Sequence, residues 1–345
     1  MKNLIPIILI AFIFQSCMPT QLVYISVLEP APVTLPPNIK NVIVVNRSLA
    51  SDEAKPIDVV NKFLSLESPN LAKEGAEATI TGLGDELMKN SRFTGVKALN
   101  NTDLRTNSPG QFPAPLSWDV VERICRDNNA DALFSLELFD AESKISYAAI
   151  PTTINTPLGN IPGIEHQANM LTTVKTGWRI YDPAGRNIVD EFPISRNISY
   201  SGKGINPLVA AQGLIGRKEA VKEVGNKVGH CYASRIIPYW IRVSRDYYVS
   251  GSDNFKMARR KAQTGNWNEA GDLWQHETTN PNPKIAGRAC YNMAIISEIN
   301  GNLDQAIQWS QKSYENYNNR LALYYVNILK NRKSNNELLK DQQSN

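Results

Sequence analysis

No apolar run in this sequence reaches the roughly 20 residues that a helix needs to cross the hydrocarbon core of a bilayer. The run Leu4–Phe14 has eleven. That is too short for a spanning anchor and fits the apolar centre of an export signal, with Lys2 before it and the small Ser16 after it. Histidine is scarce: His166, His230 and His276 are the full set, and their wide separation offers no cluster for a histidine-based metal centre. The four cysteines show no Cys-x-x-Cys spacing, which removes the zinc-ribbon and redox-pair readings. Gly-x-Ser-x-Gly, Gly-x-Gly-x-x-Gly and the Walker pattern are missing, and SGKGIN (Ser201–Asn206) lacks the leading glycine of a phosphate loop. Adjacent carboxylates such as Asp190 and Glu191 would point to opposite faces of a strand and cannot share acid–base work. The expectation is a non-enzyme with no cofactor and no metal. A net charge of +4 is too slight for nucleic-acid binding, which needs a clustered basic face.

What is present is the composition of a globular protein, 42% hydrophobic and 20% charged, in 345 residues. Two domains are expected at about 150 residues each. The chain opens MKNLIPIILIAFIFQSCMPTQ. Ser16 followed by Cys17 resembles the lipobox of bacterial lipoproteins, in the looser form of the Bacteroidota type; Phe14 and Gln15 depart from the commonest Leu-Ala/Ser-Gly/Ala pattern. The resemblance implies a signal peptide over 1–16, cleavage before Cys17, and acyl chains on its thiol. One chain holds a protein only marginally at a membrane, whereas two or three hold it firmly. Once Cys17 is lipidated, Cys125, Cys231 and Cys290 are an odd set, expected as buried free thiols.

Residues 17–40 carry Pro19, Pro30, Pro32, Pro36 and Pro37, a spacing that predicts an extended stalk, with QLVYISV (Gln21–Val27) able to add an edge strand. No acidic run follows Cys17, so the outer membrane's periplasmic face is the expected location.

Over 41–250 the pattern predicts an α/β domain. NVIVVNRS (Asn41–Ser48) reads as the central strand, buried on both faces. A helix follows over Leu71–Met88, then a strand TGVKAL and a helix from Trp118 capped by Ser117. A long strand begins at Ala132, and TVKTGWRIYD pairs with NIVDEFPISRNISYS through Pro183-Ala184-Gly185-Arg186. One long amphipathic helix is expected from Asn206 to Tyr239. The element order resembles the compact α/β layer of several envelope lipoproteins, such as the outer-membrane activators and the amino-terminal domain of the TolB type.

Residues 253–332 repeat themselves. Gly265-Asn266-Trp267 matches Gly301-Asn302-Leu303, and Ala270 matches Ala306, a period of 36 residues. This resembles the tetratricopeptide repeat, with a glycine turn and a small residue at each helix crossing. The resemblance implies helical hairpins in which Gly265 and Gly301 turn the chain, Ala270 and Ala306 allow close approach, and Trp267 and Leu303 pack. Trp274 and Trp309 are expected in the core, Arg259, Arg260 and Lys261 on a solvated face, LALYYVNILKNR as a closing helix, and 333–345 as a flexible tail.

The expectation is therefore an α/β (α+β) layered sheet domain followed by an α-helical tetratricopeptide-like hairpin array. The corresponding function is a lipid-anchored adaptor whose partners are the membrane, through Cys17, and an envelope protein. A small-ligand-binding or enzymatic α/β domain is the alternative.

Overall fold

The computed structural model of the chain describes residues 19–48, 71–99, 104, 112–157 and 159–343. The expected signal peptide and Cys17 lie outside the described residues. The chain divides into two compact units, Pro30–Tyr239 with Gln342–Asn345, and Met1–Glu29 with Trp240–Asp341. An α/β sheet unit and a run of helices are both present.

In the sheet unit, β2 (Asn41–Asn46), β3 (Gly95–Leu99), β4 (Ala132–Thr156), β5 (Gly159–Asp182) and β6 (Asn187–Gly204) lie in the order β3-β2-β4-β5-β6. β2 runs parallel to β3 and β4, and such pairs require crossovers, which α1 (Leu71–Leu87) and α2 (Trp118–Asp127) help to supply. Val42 and Val44 enter the core under α1, while Ile43 and Val45 enter a second core under α2. That double burial explains the unbroken apolar run. The middle strand is nevertheless β4 and not β2, because β5 pairs on the other side of β4. Ser117 holds the N-cap position of α2 but makes no side-chain cap bond.

β4 and β5 form a hairpin registered from Leu133↔Tyr181 out to Thr156↔Gly159. β6 accompanies it only as far as His166↔Gly204, so the outer part is a two-stranded ribbon. From Ile145 to Ile164 this arm carries no charged residue. The expected β5–β6 hairpin is present, with Arg186 at φ 46 in its turn. SGKG (Ser201–Gly204) belongs to β6.

The single long helix expected from Asn206 is two. α3 (Pro207–Gln212), capped by the Asn206 side chain on Val209 N–H, is followed by a break around Gly213 and Gly216 and then by α4 (Arg217–Ala233). Two glycines within four residues weaken a helix enough for packing to interrupt it. α4 lies with α1 over Phe139, Trp178 and Ile180, where Trp178 stacks on Tyr232 at 4.9 Å.

In the other unit, β1 (Thr20–Glu29) pairs with β7 (Tyr239–Tyr248) beside α5 (Asp253–Gln263), α6 (Trp267–Glu277), α7 (Pro283–Ile299), α8 (Leu303–Glu315) and α9 (Arg320–Gln343). Residues 20–29, expected within a stalk in which Gln21–Val27 could add an edge strand, form that strand over Thr20–Glu29, with Val23 and Val27 buried. The expected tail does not begin at 333 either. α9 continues through Gln343, with Leu339 buried and Asn335 Nδ2 donating to Glu29 at 2.7 Å.

Candidate functional site

The helical unit holds every candidate residue except Cys17. Gly265 and Gly301 turn the chain between α5 and α6 and between α7 and α8, at φ +85° and +78°. Those values favour glycine on backbone grounds, since nothing lies within 4 Å of an added Cβ at either site. Ala270 and Ala306 are fully buried, as are Ala258 and Ala294 on the preceding helices. Trp267 begins α6 and meets the edge of Tyr247 at 5.4 Å, and Leu303 begins α8 and is buried. Trp274 is fully buried, whereas Trp309 is half-buried beneath the Lys312 ammonium, 5.0 Å from its ring.

Ala306→Leu should therefore cost about 1–3 kcal/mol through overpacking, while a change at exposed Gln308 should stay within about ±0.5 kcal/mol. Denaturant melts of the full chain decide this, and equal effects would mean that Ala306 is not at a tight crossing.

The inner side of this helix stack is closed by the chain's own strands. α7 is buried along most of its length, and Asn292 fixes β7 from both ends of its amide. Its oxygen accepts from Tyr248 N–H at 2.7 Å and its nitrogen donates to Tyr248 C=O at 2.7 Å. Glu298, also buried, accepts from Arg245 on β7 at 2.9 and 3.0 Å, from Arg332 on α9 at 2.6 Å and from Tyr325 at 2.5 Å. Burial pushes the Glu298 pKa up, but hydrogen bonds from Arg245 and Tyr325 and the charge of Arg245 outweigh it and leave it below 4.5. Asn292 and Glu298 interrupt the otherwise apolar YNMAIISEI, and that interruption is the signal the sequence offers for them.

A second buried ionic cluster sits in the sheet unit. A bulge between Leu136 and Leu138 sets Glu137 apart in the ladder. Its carboxylate meets Arg47 at 2.6 Å, the Tyr181 hydroxyl at 3.0 Å and Arg179 at 3.8 Å. Arg179 also donates to Pro113 C=O at 2.5 Å and to Glu191, and Leu116 N–H donates to Tyr181 Oη at 3.1 Å. These bonds pin residues 113–116 onto the sheet. Burial works against the charge of Arg179, yet Glu191 and Glu137 more than offset it, and burial raises the Tyr181 pKa. The cluster fits a structural clamp: Glu137 is buried, and the side chains around it also hold the backbone of residues 113–116. Asp190 and Glu191 do face opposite ways, Asp190 toward Tyr232 and Arg235 and Glu191 toward Arg179.

Between α1 and α4 runs an open groove of about 870 Å³ lined by Lys73, Glu74, Glu77, Glu219, Lys222 and Glu223. Its charges largely pair with near neighbours, Lys222 with Glu219 at 3.2 Å and Glu223 with Lys227 at 2.7 Å. Among the described residues no group of three or more His, Cys, Asp or Glu side chains could hold a metal ion. Cys125 and Cys290 are free and buried and Cys231 is free and half-buried; burial pushes the first two thiols up to about 12 and about 11.

Residues 39–248 match a family described as a domain of unknown function, DUF8603, and residues 256–331 match a second such domain, DUF6340. No curated protein matches the chain. Among solved structures, the PelC dodecamer from Paraburkholderia phytofirmans is 10% identical, with 62% of this chain and 98% of that chain covered and a TM-score of 0.27. A candidate lipoprotein from Caulobacter crescentus is 12% identical, covering 55% and 88%, at a TM-score of 0.18. Likeness at these TM-scores carries no inference.

Proposed function

The chain belongs to the DUF8603 family, whose domain covers more than half of it, and we propose that it is a lipid-anchored envelope protein acting as an adaptor between proteins through tetratricopeptide-like helices. The observation that carries this reading is an exposed apolar strip on α9. Leu321, Tyr324 and Ile328 are exposed at helical spacing, flanking the side on which Ala322, Tyr325, Val326 and Leu329 are buried. The last helix of a repeat stack ordinarily presents polar residues to solvent. An exposed apolar strip suits a helix or helical hairpin of an envelope partner that continues the stack. Peptide capture in the inner groove is not part of this proposal, because β7 covers α7 there. No described helix is long and apolar enough to cross a membrane, and the anchor in this reading is Cys17, on the periplasmic face of the outer membrane.

The test is cross-linking in intact envelopes, comparing the wild type with a variant carrying Leu321→Ser, Tyr324→Ser and Ile328→Ser. Loss of one discrete adduct with an unchanged circular dichroism spectrum supports the adaptor. An adduct pattern that the triple variant leaves intact counts against it. The anchor has its own test in palmitate labelling: the wild type should take up label and Cys17→Ser should take up none and stay unprocessed. Export with processing but no label would sink it.

A further inference from the structure

The strand β1 begins at Thr20, three residues after Cys17, a reach of at most about 11 Å at 3.3–3.6 Å per residue. An acyl anchor at Cys17 would hold β1 close to the membrane surface. What β1 and its partner β7 present on their free side is therefore decisive. Along β1, Val23 and Val27 turn inward, and Leu22 and Tyr24 stand out at 53% and 54% exposure. Along β7, Tyr247 turns inward, and Trp240 stands out at 70% exposure with Arg242 also exposed. The Arg242 guanidinium lies 4.7 Å from the centre of the Tyr24 ring, which puts both strands' exposed residues on one face.

We propose that this face, formed by Leu22, Tyr24, Trp240 and Arg242, rests in the headgroup layer of the membrane that the acyl chains of Cys17 enter. Tryptophan and tyrosine favour that layer because an apolar ring and a polar edge are both satisfied there. An arginine stacked on the tyrosine reaches lipid phosphate while its stem stays against apolar surface. The ligand is thus a phospholipid surface. The proposal rests on the lipoprotein reading and adds to it an orientation: the protein would lie on its β1–β7 face instead of standing off on a stalk.

The experiment uses the full-length protein purified from membranes and reconstituted in phosphatidylethanolamine–phosphatidylglycerol vesicles containing phosphatidylcholine brominated either near the headgroup or near the acyl terminus. Bromine quenches tryptophan at short range, and Trp240→Phe removes one of six tryptophans with little change of shape. The expected result is that wild-type fluorescence is quenched more by the shallow bromine than by the deep one, and that Trp240→Phe loses this component. Replacing Tyr24 and Arg242 together by serine, with an unchanged circular dichroism spectrum, should weaken the quenching of Trp240. Palmitate uptake with no quenching assigned to Trp240 overturns the proposal and leaves the anchor standing. Cross-links between copies through Trp240 overturn it in favour of a copy-to-copy interface. Absence of palmitate on the purified protein overturns the anchor and, with it, the tether on which the proposal depends.

Discussion

Glu298→Gln is expected to destabilise the helical unit by about 3–5 kcal/mol, the range for removing one member of a buried ion pair. Both carboxylate oxygens of Glu298 accept only from donors, one from Arg245 Nε and Tyr325 Oη and the other from Arg245 Nη2 and Arg332 Nη1. A glutamine keeps the shape but turns an NH2 toward those donors and leaves two guanidinium groups without their anion. The loss should appear as a lower denaturant midpoint for this unit, with exposed Glu315→Gln as a control within about ±0.5 kcal/mol. The pH dependence follows from the lowered pKa. A carboxylate held below 4.5 when folded contributes its full stability above that value and loses it as pH falls through the folded pKa. Below about pH 4.5 the wild type should therefore converge on Glu298→Gln. A constant gap between the two down to strongly acidic pH would mean that Glu298 is not titrating in this network.

The second large effect is expected where α1 crosses α4. A Cβ at Gly229 would sit 2.0 Å from Thr79 C=O and 2.6 Å from Leu83 N, and one at Gly82 would sit 2.1 Å from Asn226 C=O. These neighbours are backbone atoms, which cannot rotate away, so the two helices would have to separate. Overpacking of this kind costs about 1–3 kcal/mol, and with backbone on both sides Gly229→Ala belongs at the upper end. That outweighs the helix-propensity gain of about 1 kcal/mol. Gly84, in the same helix α1, is the counter-test: its added Cβ would make only an ordinary contact, 3.7 Å from Val96 Cγ1. Gly84→Ala should raise stability by up to about 1 kcal/mol. Urea melts of the full chain report both changes, and a shared sign would contradict the close crossing.

The glycines illustrate what a local pattern carries and what it omits. Gly82, Gly84, Gly225 and Gly229 look alike in sequence, each a weak point in a helix. Which of them is indispensable depends on the approach of a helix some 150 residues away, and no periodicity within α1 or α4 encodes that distance. Asn292 and Glu298 are similar. A buried polar residue in an apolar helix implies a partner, but Asn292 bonds Tyr248 and Glu298 bonds Arg245, both on a strand outside the repeat region.

By itself the sequence determined the class of the two parts, because hydrophobic periodicity is a local property of the chain. Asn41–Asn46 had to be buried on both faces, the 36-residue recurrence had to give helical hairpins with glycine at their turns, and Pro183–Arg186 had to reverse β5 into β6. Tertiary structure alone decided that β4 is the middle strand, that β4 and β5 extend into an uncharged arm, and that β1 and β7 close the inner side of the helices. The physical reason is the same in each case. Alternation tells which face of a strand is apolar, but its hydrogen-bonding edges are identical in every strand. The choice of neighbour is made only when distant segments compete for those edges, and residues 20–29 found theirs more than 200 positions away, on β7.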